Sequence, residues 1–165
     1  MRIIRWLDAQ LNRTTMYRVL LYGLSLILIT GFIVSFLGLT SFTPLQLGLS
    51  ISLLSAACLV TNQVLARGFD IPSNFESSII TTLILACIVQ PASTTARIYG
   101  TLLIGVIAIA SKYIITLHRQ HIFNPAALAA VLVGVAGFAP ITWWIASPEL
   151  FWVMLVIGLL ILRKT

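Results

Sequence analysis

Between Tyr17 and Leu162 six apolar runs follow one another, and only short polar breaks separate them. The runs are Tyr17 to Leu39, Leu45 to Ala66, Ile79 to Val89, Ile98 to about Leu117, Ala126 to Ala139 and Trp143 to Leu162. A membrane-crossing helix takes about 20 residues, and four of the runs are near that length. Composition agrees with this reading. Hydrophobic residues make up 59% of the 165 and charged residues 8%, with a mean hydropathy of +1.07. A soluble domain carries about 25% charged residues. So few charges cannot coat a water-soluble globule of this size, which excludes a soluble enzyme, a disordered tail and a coiled coil. The expected fold is all-α, a polytopic membrane bundle of about six spans.

The net charge of +6 does not point to nucleic acid, because the basic residues sit at the ends of apolar runs and form no stripe. With the N-terminus inside, six passes place Arg2, Arg5, Arg13, Arg18, Arg67, Arg119, Arg163 and Lys164 inside and Arg97 outside. That bias predicts a multi-pass protein of the cell (inner) membrane with both termini cytoplasmic. Residues 1–15 mix arginines with Ile3, Ile4, Trp6 and Leu7 and read as a cytoplasmic interfacial helix. Residues 16–165 read as one transmembrane domain. Cys58 and Cys87 lie within apolar runs and read as buried thiols.

Two runs are short, 79 to 89 and 126 to 139. Either polar flanks extend them, over 77–93 and 123–142, or they are interrupted helices. Interrupted helices are tolerated at membrane depth only where protein buries them or they line a cavity. In transporter-like folds such pairs mark a binding site.

Lys112 lies well inside the fourth run, where a charge is costly and calls for a partner or for snorkelling to the interface. Glu76, Asp70 and an anionic ligand group are the candidate partners. Asn124-Pro125 reads as an N-cap followed by a first-turn proline. It predicts a helix start with free N–H groups near Lys112 and Arg119, suited to a phosphate, a carboxylate or an electron-rich carbonyl. Asn74, Glu76 and Ser77 read as the capping segment of the third run. His118 and His121 are spaced to share a helix face.

The stretch Lys112 to Ala127, KYIITLHRQHIFNPAA, resembles a segment of the NqrB/RnfD family. These are membrane subunits of the Na+-translocating NADH:quinone reductase and of the Rnf complex. Gln90-Pro91, Lys112 and Phe123-Asn124-Pro125-Ala126 stand in the family's order, and the likeness covers roughly residues 75 to 135. PSNFESSIITTLIL, with Asn74, Glu76 and Ser77, is similar to short bacterial relatives in which this unit precedes a flavin reductase-like domain. The resemblance implies broken helices of the urea-transporter type and electron transfer through membrane-bound flavin, FMN or riboflavin, coupled to cation movement. It also implies a flavin–nicotinamide reductase-like partner domain or subunit, within a homodimer or a larger membrane complex. The family's Ser-Gly-Ala-Thr-like element, whose Thr carries covalent FMN, is absent, and Ser93-Thr94-Thr95-Ala96 does not replace it. The flavin is therefore expected to be held non-covalently, with Lys112, Arg119, Asn124, Pro125, Asn74, Glu76 and Ser77 as the binding residues. The rival expectation is a small-solute channel of the same architecture without a cofactor.

Overall fold

The computed structural model describes residues 15–117 and 120–164, with six α-helices, one 3-10 turn and a two-residue ladder. The helices are α1 (Met16–Phe36), α2 (Pro44–Gly68), α3 (Phe75–Ile88), α4 (Thr95–Ile114), α5 (Pro125–Val135) and α6 (Phe151–Lys164). The expected interfacial helix over residues 1–15 lies, apart from Thr15, outside the described residues. The all-α bundle with short helices is the architecture that the apolar runs predict.

Polar caps set the starts. Thr15, Thr43, Asn74, Thr94 and Asn124 each accept a backbone N–H of the first turn through the side chain. At α2 this becomes a reciprocal capping box between Thr43 and Gln46, with Pro44 at the first helical position. The stops are also local. Past α5, Gly137 takes φ +74 and lets Phe138 N–H reach back to the Val133 carbonyl. Past α2 the same turn is made by a non-glycine residue, Asp70, at φ 51.

Helices α1, α2 and α4 are long and apolar enough to cross a bilayer. Among the described residues the other three are not. Helix α3 has 14 residues and α5 has 11, giving about 21 Å and 16 Å against a hydrocarbon core of about 30 Å. The sixth run is also shorter than its composition predicts. Pro148 forces Ser147 into an extended conformation, so Trp143 to Ser147 form turns and α6 begins only at Phe151. Thr116–Leu117 pairs antiparallel with Gln120–His121, while His118, the other histidine of the expected shared face, lies outside the described residues.

The chain beyond α3 and α5 is not left unpaired. Val89 and Ile141 form an antiparallel bridge. Gln90 N–H donates to the Pro140 carbonyl (3.1 Å) and Thr142 N–H to the Ile88 carbonyl (2.9 Å). The Trp144 indole N–H donates to the Ala86 carbonyl (2.8 Å), and Ala92 N–H donates to Ser50 Oγ (2.7 Å). The Ala86 and Ile88 carbonyls, two of those that the end of α3 leaves orphaned, are thus taken up by the returning segment.

Around this seam α4 packs between α2 and α5, with Ile104, Ala108 and Ile109 fully buried. Helix α6 lies along α1, where Ile157 meets Gly23 and Leu150 approaches Gly31. The outside is as apolar as the inside. Helix α1 alone exposes Tyr22, Leu26, Ile29, Ile33 and Phe36 on one stripe, a surface that suits lipid and not water.

Gly100 and Gly158 give opposite tests of this packing. A Cβ at Gly100 would collide with the Phe138 carbonyl, whereas nothing lies near one at Gly158. Gly100→Ala is expected to destabilise the detergent-solubilised protein by about 1–3 kcal/mol. Gly158→Ala is expected to be neutral or to raise the melting temperature, as alanine favours helix over glycine.

Candidate functional site

The starts of α1, α3 and α5 and the ends of α2, α4 and α6 share one end of the bundle. A cleft of about 550 Å³ opens there. It is lined by Asn74, Glu76 and Ser77 at the start of α3, by Lys112 in the last turn of α4, and by Asn124 and Pro125 at the start of α5. Six of the seven binding residues expected from the sequence therefore meet in one place. The seventh, Arg119, lies outside the described residues.

The partner of Lys112 differs from the candidates that the sequence offered. Neither Asp70 nor Glu76 bonds it. Its amine donates to the Ser77 carbonyl and to the Ser77 hydroxyl, both at 2.9 Å. The reason is steric order along α3: Ser77 faces α4, while Glu76, one residue earlier, turns toward α1 and faces Arg18 (3.9 Å). That ion pair is half exposed and is worth about 0–1 kcal/mol. The next residue on α4 reaches the other way, as the Tyr113 hydroxyl donates to Asn62 Oδ1 on α2 (2.8 Å).

The start of α5 also differs from expectation. Pro125 has no N–H, and Ala126 and Ala127 donate to the Asn124 side chain at 3.0 and 3.3 Å. The Leu128 N–H takes the Asn124 carbonyl. The first turn of α5 thus has no donor to spare, because its own cap has used them. What remains is the helix dipole, equivalent to about half a positive charge at each start. At α3 the Asn74 side chain and carbonyl take the N–H groups of Ser77 and Ser78. Two helix starts and an ammonium therefore converge on the cleft, with Glu76 as its one carboxylate among the described residues.

Sequence reasoning missed the floor of the cleft. Thr81 and Ile84 line it below Ser77, and Ile80, Ile122 and Phe123 supply apolar wall. The spacing of Ser77, Thr81 and Ile84 is the signal that was available, since it puts them on one helical face. Thr81 back-bonds to the Ser77 carbonyl (2.9 Å), the same oxygen that Lys112 uses. The mixture of one cation, one carboxylate, amide caps and apolar wall suits a flat ring with a polar edge, and in that respect the residues fit a flavin. A larger groove of about 700 Å³ runs along α6 past Phe151, Met154, Leu155 and Leu159. It is apolar and has no titratable lining.

Asn124→Ala removes the acceptor for two N–H groups and is expected to cost about 1 kcal/mol of stability, with Asn124→Asp retaining most of it. Thermal unfolding in detergent reads both.

Comparison of the chain with protein-family models, with curated proteins and with solved structures finds no match.

Proposed function

We propose that this chain is the membrane subunit of a flavin-dependent electron-transport complex, of the NqrB/RnfD kind. It would lie in the cell (inner) membrane as a multi-pass protein with the cleft on the cytoplasmic side. The observation that carries this reading is the convergence of the Lys112 ammonium and the starts of α3 and α5 on one partly apolar cleft. Positive potential at a low-dielectric site favours a ligand that bears or gains negative charge. A flavin bound there would supply the electron transfer; the protein would position it and tune its electrostatics. Lys112 would donate to the ring or its phosphate, Asn74 and Asn124 would shape the rim, and Ile80, Ile84 and Phe123 would keep water from the ring. Electrons would come from a flavin–nicotinamide reductase-like domain or subunit, or from a ferredoxin, with cation movement as a coupled step.

Sidedness supports the orientation. Arg18, Arg67, Lys112 and Arg163 all lie in helix turns at the cleft end, and Arg97 lies in the first turn of α4 at the other, which suits a cytoplasmic cleft. The rival solute channel has less support. No cleft-lining residue lies beyond Ile84 on α3, and past it the chain is hydrogen-bonded across the bundle through the Val89 and Ile141 bridge.

Protein purified in detergent is expected to be yellow, or to bind added riboflavin or FMN, with absorbance that bleaches on reduction. Lys112→Met is expected to weaken flavin binding about tenfold or more, the loss of one charged hydrogen bond. Colourless protein that takes up neither flavin overturns the reading. Solute flux into liposomes without an electron donor would favour the channel instead.

A further inference from the structure

The flavin reading leaves the cleft's one carboxylate among the described residues without a part. A site that only gathers anions has no use for a carboxylate, yet Glu76 lines it. Its local roles do not require that placement. An acidic residue suits the first turn of any helix, and its contact with Arg18 is long and half exposed.

The neighbours of Glu76 suggest what it is for. It adjoins Ser77, the residue to which the Lys112 amine is bonded. An ammonium has three hydrogens and no acceptor; an ionised carboxylate has acceptors and no hydrogen. Ser77 supplies two acceptors to the Lys112 amine, which has three hydrogens, and Lys112 itself lines the cleft. A donor and an acceptor lining one cleft match an edge where a carbonyl and an N–H alternate. It does not match a phosphate, which offers only acceptors and would be repelled by Glu76.

We infer that Glu76 is a specificity-determining residue that accepts a hydrogen bond from the imide N–H of the flavin ring, while Lys112 donates to the adjacent ring carbonyl. The ring then enters by its imide edge, with Ile80 and Ile84 lying along α3 beneath it. The inference rests on the flavin reading of the same cleft. It adds a direction to the ligand and a reason for the one carboxylate.

The experiment uses the detergent-purified, flavin-stripped chain, titrated with riboflavin and with N3-methylriboflavin and followed by quenching of flavin fluorescence. Wild type is expected to bind the N3-methyl compound about tenfold more weakly, the loss of a charge-assisted hydrogen bond. Glu76→Ala is expected to bind both compounds alike, and Glu76→Gln, which keeps one acceptor, to retain part of the preference. Equal binding of the two flavins by wild type overturns the inference and leaves the flavin reading standing. The same preference in wild type and in Glu76→Ala also overturns it, by assigning the discrimination elsewhere. Failure of either flavin to bind overturns the flavin reading and this inference with it. If Glu76→Ala does not fold, Glu76→Gln decides: a weakened preference supports the inference and an unchanged one overturns it.

Discussion

An apolar chain can leave the helical conformation inside its own bundle only if the freed backbone groups find partners, and the whole arrangement depends on that pairing. Helices α3 and α5 both stop short, and the segments that follow them hydrogen-bond to each other at Val89 and Ile141. Trp144 contributes its indole N–H to the Ala86 carbonyl from the same returning strand. Each unpaired amide in such surroundings would cost several kcal/mol. The seam thus permits two short helices in a bundle in which α1, α2 and α4 are long enough to cross a bilayer.

Short helices bring their dipoles to a chosen end. Helices α3 and α5 both start at the cleft, so their positive poles lie locally against it, although the ends of α2, α4 and α6 bring negative poles to the same end of the bundle. Lys112 joins them from the last turn of α4, where its own helix end also favours a cation. What makes the bundle one-sided is the placement of Arg18, Arg67, Lys112 and Arg163 at this end, and the proposed electron-carrying role uses that asymmetry. The opposite end, closed by the seam, has no comparable concentration of charge among the described residues.

Much of this was legible because it is local. The caps at Asn74 and Asn124, and the proline that follows the second, mark helix starts in the sequence, and helices begin there. Gathering Asn74, Glu76, Ser77, Lys112, Asn124 and Pro125 at one end needed only the alternation of helix directions. What failed needed packing. The bond from Lys112 to Ser77 links residues 35 apart and depends on the rotation of α3 about its axis, which polarity alone does not fix. Donors thought free at α5 were consumed by Asn124 itself, a fact of side-chain rotamer. The sixth run was misread because apolar composition concealed the stop imposed by Pro148.

The pair of hydrogen bonds that the Lys112 amine donates to Ser77 has an energetic consequence for whatever enters the cleft. A free lysine side chain loses about 2 kcal/mol of rotamer entropy when it is fixed. Here that loss is met during folding, since two acceptors on α3 already hold the amine in place. An arriving molecule encounters a preorganised donor, and more of the contact energy is kept as affinity.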